Sequence, residues 1–538
     1  MAIIYQTDKR SGITYAYESV SFWDKDKKQS RAKRTLIGRL DANSGMIIPT
    51  DGRMKKVDRG NGLRTSAKRG PVPAEQYARK FYGATYLLDK IGEKNGITED
   101  LKQCFPNEYK QILSIAYYLI LEDKNPLYRF EKWATIHKHP YGNDIPSQRS
   151  SELFMGIRED AIQEFFRLQG KRRAENEYWV YDTTSFSSFS ETLRQAEYGY
   201  NKEGDKLPQI NLALVFGEQS NLPFYYRKLA GNIPDVKTMK VLLADLDDLG
   251  FRKVKLVMDK GFFSVDNING LMKEHLKFII AARTSLSLIR RELDKVYEDF
   301  QTFEYYNEDH QLYSITVPSE WNYEQERPYK GDKIKGKRRV YIHLYYNIDR
   351  AAEDQKNFDR KLMGLKRELL TGKHDLQHES LYKKYFIIKN TPVRGIQVAV
   401  NEEMVKKAKR YYGFFALLSN EKMDSIEALE LYRNKDVAEK AFGNLKERLN
   451  LRRTLVSSEQ SLDGKLFVEF VALIYLSYLK KQMQINKLGR DYTIMGLLDK
   501  LDIIECFDRP GRKFQVGEVL EKQKLIYQAL DVQPPASL

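Results

Sequence analysis

Three acidic residues pose the chemical question. Asp182 closes the run YWVYD and precedes TTSFSS, Asp259 closes KVKLVMD ahead of KGFFS, and Glu439 lies inside YRNKDVAEKAFGNLK. Hard cations prefer carboxylate oxygens, and hydrolysis or transfer of phosphodiesters uses two divalent ions about 4 Å apart, one activating the attacking oxygen and one stabilising the leaving oxygen. Asp182, Asp259 and Glu439 are therefore a candidate ligand set for two Mg2+ ions, with Mn2+ able to substitute. Each residue alone has a plainer explanation, since an aspartate at a strand end often forms a turn or caps a helix. Whether the three converge depends on the elements that carry them.

Around Glu439 the spacing predicts a helix over 432–446. Tyr432, Glu439 and Lys446 are seven apart, drift only about 20° per step and share one stripe, with Lys435 near it. Val437, Ala438, Ala441, Phe442, Leu445 and Leu449 fill the neighbouring face in the i, i+3, i+4 pattern of a helix on a core. On this segment alone, an ordinary salt-bridged surface stripe accounts for the pattern equally well.

The upstream elements supply partners. From 178, YWVYDTTSF is β-branched and aromatic, so a strand is expected to exit at Asp182. QINLALVFG (209–217) and LPFYYRKLAG (222–231) read as two more strands, and DVKTMKVLLADLDDLG as a helix. KVKLVMD reads as a fourth strand exiting at Asp259, VDNINGLMKEH as a helix and KFIIAAR as a fifth strand. Three hairpin-like strands, a helix, then alternating strand and helix is the order of a ribonuclease-H-like sheet, in which the first and fourth strands are neighbours. That order would set Asp182 beside Asp259.

The rest of the chain is organised around this core. The alternation TYAYESVSFW, the basic turn DKDKKQSRAKR and the run TLIGRLD predict an N-terminal β-hairpin, whose Lys27, Lys28, Arg31, Lys33 and Arg34 are expected to contact DNA phosphates. A Gly- and Lys/Arg-rich link (58–73) precedes residues with helical periodicity and no sustained strand alternation. Within these, IPSQRSSELFMGIREDAIQEFF could be half of a helix-turn-helix, although plain helical packing is the commoner meaning. Beyond Arg283 a mixed segment of more than a hundred residues is too long for a loop and predicts a β-rich insertion subdomain. Its run KGDKIKGKRR (330–339) is expected as a solvated loop that meets DNA through Lys333, Lys335, Lys337, Arg338 and Arg339. YYGFFALLSN (411–420) resumes the core as a strand, and LFVEFVALIYLSYLKKQMQ reads as a buried helix. The expected divisions are 1–70, a basic hairpin region; 71–172, a helical DNA-binding module; 173–285 and 406–456, the two parts of the α/β core; 286–405, the insertion; and 457–538, a C-terminal helical region.

The stretches YDTTSFSSFSE, LVMDKGFFS and YRNKDVAEKAFGNLK resemble the DDE transposases of bacterial insertion sequences, in the IS4-like group and most closely the IS1634 type. The third stretch is similar to that group's signature of Tyr, two residues, Arg, three residues, Glu, six residues, Lys. Tyr432, Glu439 and Lys446 match it, and Lys435 stands where the signature has Arg, which keeps the charge but loses the bidentate fork. The resemblance implies a ribonuclease-H-like catalytic core interrupted by a β-rich insertion before the glutamate helix. It also implies two divalent ions on Asp182, Asp259 and Glu439, with Tyr432, Lys435 and Lys446 holding phosphates. In the wider group a Trp can stack on a flipped base, which makes Trp321 a candidate beside the commoner reading of a packing Trp. The implied activity is cut-and-paste transposition on terminal inverted repeats of double-stranded DNA, by a homodimer that joins two ends. A nuclease of the same fold and a silent DNA-binding descendant stay open.

Composition is consistent with a polyanionic partner: 90 Lys and Arg against 74 Asp and Glu give a formal charge of +16. Cys104 and Cys506, far apart in sequence, support neither a disulfide framework nor a cysteine zinc site, and fit a reducing cytosol. The most apolar runs, 112–121 and 470–479, are too short to cross a bilayer, so a soluble, cytoplasmic, nucleoid-associated protein is expected. His374 and His378 have zinc-compatible spacing but no third ligand near them in sequence, and Ser185, Ser187 and Ser188 have no His placed to activate them.

Overall fold

In the computed structural model the described residues are 2–25, 27–42, 44–49, 78–122, 125–173, 177–190, 192–199, 206–251, 253–326, 331–391, 395–443, 445–446, 449, 453–454, 458–508 and 514–536. Met1–Glu75 and Gln76–Leu538 form two compact units.

In the first unit, β1 (Ala2–Thr7), β2 (Thr14–Asp24), β3 (Gln29–Leu40) and β4 (Ile47–Pro49) make an antiparallel meander. The expected hairpin is β2–β3, flanked by two further strands. β1 pairs with β2 only as far as Ser19, and β4 pairs with β3 only from Gly38 to Leu40, so the end of the hairpin projects as a two-stranded ribbon. The link at 58–73 lies outside the described residues.

The second unit begins with β5 (Ala78–Phe81) and the helices α1 (Gly83–Lys94), α2 (Ile97–Cys104), α3 (Tyr109–Leu121), α4 (Phe130–Ile136), α5 (Ser147–Gly156) and α6 (Glu159–Lys171). Then come β6 (Tyr178–Ser188), β7 (Gln209–Gly217) and β8 (Pro223–Ala230), successively antiparallel. After α7 (Asp235–Asp248), β9 (Lys255–Met258) returns parallel to β6 on its other side, and after α8 (Val265–Lys273), β10 (Lys277–Ala282) lies parallel to β9. The first and fourth strands of this series are thus neighbours. Their residues are buried on both faces, which explains the near-continuous apolar runs in sequence.

The excursion after α9 (Ser287–Val296) divides in two. β11 (Tyr306–Asn307), β12 (Leu312–Glu326) and β13 (Lys333–Tyr346) extend the same sheet, because β13 pairs with β16 (Phe414–Ser419), which itself pairs with β10. The basic run expected as a loop is therefore mostly strand: Lys333 to Arg339 pair with Glu326 to Glu320, and cross-strand ion pairs Lys337–Glu320 (2.7 Å) and Lys335–Glu324 (3.5 Å) hold the charges in register. The second half, α10 (Ile348–Thr371), α11 (Glu379–Tyr385), the hairpin β14 (Phe386–Thr391) and β15 (Gly395–Val400), and α12 (Glu402–Lys409), has its own small core of Leu365, Leu369, Tyr382, Tyr385, Phe386 and Val405.

The remaining elements are α13 (Ser425–Arg433), α14 (Asp436–Gly443), β17 (Arg453–Thr454), α15 (Glu459–Ile485), α16 (Ile494–Asp502), β18 (Glu505–Asp508), β19 (Gln515–Val516) and α17 (Glu521–Ala529). Among the described residues the sheet has ten strands, in the order β11-β12-β13-β16-β10-β9-β6-β7-β8 with β17 beside β6. No helix among the described residues is long and apolar enough to cross a membrane.

α15 joins the helical layer to the sheet. From Leu466 to Leu479 it is buried on every side and nearly all apolar, as a helix packed all round must be. Phe467 meets Phe105 (5.0 Å between ring centroids), Tyr475 meets Tyr117 (5.5 Å), and Phe470 meets Tyr226 of β8 (5.1 Å). α5 crosses α15 at Gly464, so the segment weighed as a helix-turn-helix half is packed into this layer. β5, absent from the sequence reading, pairs with β18 across more than four hundred residues, a partner that local pattern cannot reveal.

One acidic residue in α15 has a measurable consequence. Glu469 is fully buried, and burial pushes its carboxyl up to about 7 against the pull of Lys465, whose Nζ is 3.6 Å away. Between its ordinary value and about 7 the unfolded chain gives up a proton that the folded chain keeps, so this group makes stability fall as pH rises through that window. Glu469→Gln is expected to remove that part of the slope and raise stability at pH 8 by on the order of 2 kcal/mol relative to pH 4, read from urea unfolding of both proteins.

Candidate active site

The parallel pairing of β6 with β9 ends at Tyr181↔Met258, so Asp182 and Asp259 are the next residue on each of two adjacent strands. The strand expected to exit at Asp182 instead continues to Ser188, because β7 pairs along it as far as Ser187. It is β9 that ends here. β17 takes up the same side of β6 only at Ser187, so between Tyr181 and Ser187 that side has no strand partner among the described residues. Asp182 and Asp259 stand at this opening.

Both aspartates are oriented by hydrogen bonds. Asp182 Oδ1 accepts the Thr183 amide at 2.7 Å. Asp259 leads into the turn Lys260–Phe262 and its Oδ1 accepts the Tyr432 hydroxyl at 2.7 Å, with Lys435 Nζ 3.4 Å from the same oxygen. The Lys435 ammonium also stands 5.0 Å from the centre of the Tyr432 ring. Burial acts most strongly on Asp259 and would raise its pKa. The Tyr432 hydroxyl, the Lys435 charge and the Lys260 amide together outweigh it, so the carboxyl is held below its usual range.

α13 delivers Tyr432 because its start and end are fixed. Asp424 caps it by accepting the Ile426 and Glu427 amides at 2.7 and 2.9 Å, and the Tyr345 hydroxyl donates to the Ser425 carbonyl at 2.6 Å. At the other end the Asn434 carboxamide donates to buried Glu218. The helix expected as continuous over 432–446 breaks here: Asn434 and Lys435 form a turn between α13 and α14. Tyr432 and Glu439 consequently lie on successive helices, not along one stripe. α14 carries Glu439 and packs against β6 and β7; the Glu439 side chain lies outside what is described. Lys446, half-buried, follows α14.

Residues not singled out by sequence hold the opposite face. The Thr183 hydroxyl donates to Asp235 Oδ1 at 2.6 Å at the start of α7, the Tyr181 hydroxyl to Thr238 at 2.8 Å, and the Asn267 carboxamide to the Phe262 carbonyl at 2.7 Å. These bonds fix β6 and the turn after Asp259 from behind. The only sequence signals were the Pro-Asp that opens α7 and the Ser264-x-x-Asn267 spacing at α8.

The other expected contact residues are distributed elsewhere. Trp321 is 6% exposed; its Nε1 donates to Asn269 at 2.9 Å and its ring stands edge-on to Phe263, so it packs β12 against α8 and presents no open stacking face. Lys333, Lys335, Lys337, Arg338 and Arg339 are exposed on β13, and Lys27, Lys28, Arg31, Lys33 and Arg34 are exposed on the β2–β3 hairpin. His378 bonds Glu368 at 2.9 Å, an ordinary surface pairing.

Two hard carboxylates at the ends of paired strand segments suit a divalent metal ion in donor type and charge. Among the described residues no three or more His, Cys, Asp or Glu side chains are grouped so as to hold a metal ion, and the Glu439 side chain lies outside them.

A family model described as a transposase DDE domain matches residues 180–475, a span that opens just before Asp182 and includes Asp259 and Glu439. No curated protein matches the chain. A solved structure, the cryo-EM structure of piggyBac transposase synaptic complex with hairpin DNA, aligns with 77% of this chain and 70% of its own at 10% identity and a TM-score of 0.29.

Proposed function

The chain belongs to the family of transposases with a DDE domain, and on that premise we propose that it is a cut-and-paste transposase of a bacterial insertion sequence, in the IS4-like group and of the IS1634 type. Its substrate is duplex DNA bearing terminal inverted repeats. The observation that carries the reading is Asp259 beside Asp182 on adjacent strands, with Tyr432 and Lys435 of the downstream helical segment already turned onto it. The strand order β8-β7-β6-β9-β10 supports a ribonuclease-H-like core.

Asp182, Asp259 and Glu439 would hold two divalent ions, Mg2+ or Mn2+. When bound, such ions supply a water or 3′-hydroxyl activated for attack and neutralise charge on the leaving oxygen. The protein's own groups do the positioning. Tyr432 orients the Asp259 carboxylate, the Thr183 amide orients that of Asp182, and Lys435 and Lys446 offer charge to phosphates near the scissile bond. Hydrolysis that frees a 3′ end and transfer of that end to target are both in-line displacements, so one site serves both. Two ends must be joined, which calls for a homodimer, and the basic residues of β13 and of the β2–β3 hairpin hold the DNA.

The test is incubation of the purified chain with Mg2+ or Mn2+, a duplex from the flanks of its own coding region, and a plasmid target. Free 3′ ends and joined products are expected. Cleavage without joined products means a nuclease of the same fold, and no cleavage of any duplex overturns the reading. Lys435→Arg restores a bidentate fork next to Tyr432 and is expected to keep or improve end cleavage; a large loss in that variant counts against a phosphate contact at this position.

A further inference from the structure

The free end of the β2–β3 hairpin carries exposed apolar side chains as well as charge. Beyond Ser19 on β2 and before Gly38 on β3 the two strands pair only with each other among the described residues. A lone two-stranded ribbon has no core of its own, yet this one carries Val20, Phe22 and Trp23 at 40%, 48% and 63% exposure. The register sorts its side chains into two faces. Phe22 stands opposite Arg31 and Val20 opposite Lys33, while Trp23 stands opposite Ser30 and Ser21 opposite Ala32.

The first face mixes apolar groups with Gln29, Arg31 and Lys33, and Arg31 is turned along it towards Asp24, Nη1 to Oδ2 3.3 Å. The turn and the following strand add Lys25, Lys27, Lys28 and Arg34, so the ribbon end is strongly cationic. Phosphate contact requires only the cations. An exposed apolar row interleaved with Arg and Gln is the composition that reads base edges, Arg to guanine, Gln to adenine and apolar groups to the thymine methyl. Two strands about 4.8 Å apart also fit the major groove, which is about 12 Å wide and admits a two-stranded ribbon.

We propose that the ribbon end inserts into the major groove of duplex DNA, with Val20, Phe22, Gln29, Arg31 and Lys33 facing the bases and the turn lysines on the flanking phosphates. This rests on the reading of the chain as a transposase acting on duplex ends and makes the ribbon a determinant of which sequence is chosen. The ordering is asymmetric: one face specifies, the turn binds.

The full chain is used to select bound molecules from a pool of randomised 30-bp duplexes, then compared with Phe22→Ala, Arg31→Ala, Trp23→Ser and Lys27→Ala. The wild type is expected to enrich a defined motif. Phe22→Ala and Arg31→Ala each erase the preference at two to four adjacent base pairs and lose roughly 10-fold affinity for the selected duplex but not for a scrambled one. Lys27→Ala weakens both duplexes alike and lowers the slope of log affinity against log salt by about 1. Trp23→Ser leaves the motif intact. An unchanged motif in both Phe22→Ala and Arg31→Ala overturns the proposal, as does loss of the motif in Trp23→Ser alone, which would put the other face on the bases. All of these side chains are exposed, so the variants keep the fold, checked by circular dichroism. End cleavage by the same proteins separates the two readings: a wild type that cleaves ends while the variants keep its motif defeats only the ribbon, whereas a wild type that binds no duplex defeats both.

Discussion

Asp259→Asn is expected to yield a folded protein that binds duplex DNA almost as the wild type does and cleaves it at least about 10³-fold more slowly, the rate equivalent of several kcal/mol of lost charge stabilisation. The substitution is nearly isosteric. The amide oxygen can still accept the Tyr432 hydroxyl, now at 2.7 Å from the carboxylate, so the turn after β9 and the end of α13 keep their contact. What disappears is the negative charge, which the ordinary ionisation of a carboxyl held below its usual range otherwise guarantees at neutral pH. Alanine at Asp182, Asp259 or Glu439 should likewise abolish cleavage and spare binding. Cleavage surviving in any of these, assayed with Mg2+ and with Mn2+, would remove that residue from the active site. Tyr432→Phe separates positioning from charge: it keeps the carboxylate, loses the hydroxyl, and is expected to cost about 10-fold, near the worth of one hydrogen bond to a charged group.

The second large effect concerns stability. Alanine is a better helix former than glycine by about 1 kcal/mol, so propensity alone says that Gly464→Ala in α15 should stabilise the chain. Packing says the opposite. A Cβ at 464 would lie 2.1 Å from the Phe154 carbonyl oxygen and 2.6 Å from the Phe154 Cα, and both are backbone atoms of α5 that cannot swing aside. α5 and α15 would have to separate, loosening the layer in which Phe467 and Phe105 meet. A net loss of roughly 2–4 kcal/mol is expected, at the upper end for an overpacked core and enough to dominate the propensity gain. A urea midpoint that rises in Gly464→Ala would show that the crossing is not tight.

Much of the α/β core was legible because buried parallel strands and amphipathic helices leave strong local patterns. The runs ending at Asp182 and Asp259 were read as strands, and the strand order that makes them neighbours followed from the sequence of elements. What stayed hidden was non-local. Asp259 and Tyr432 are 173 residues apart, and only the path of α13 brings the hydroxyl to the carboxylate. The break at Asn434–Lys435 escaped because both residues are compatible with helix by periodicity, and the Asn434–Glu218 bond that accompanies it involves a residue at the end of β7. The stretch 330–339 looked like a loop because its charges have no apolar alternation. From Lys333 to Arg339 they are nevertheless strand, since their partners on β12 include glutamates in register. Trp321 takes the commoner of its two roles, a packing indole, and the base-stacking alternative is the one its burial sets aside.

The pairing of β5 with β18, with the Tyr527 hydroxyl donating to the Gly83 carbonyl, sets a clock on the protein's own synthesis. The two aspartates leave the ribosome early, but α15, on which the helical layer and β8 both rest, and the strand that completes β5 come more than two hundred residues later. At roughly 5–20 residues per second, the interval from Asp259 to Tyr527 is about 13–54 s. During that interval the nascent chain carries both aspartates without α15, which packs on β8 of the same sheet. A ribosome-bound chain on this account has the strands of the sheet before it has the helix that packs on β8.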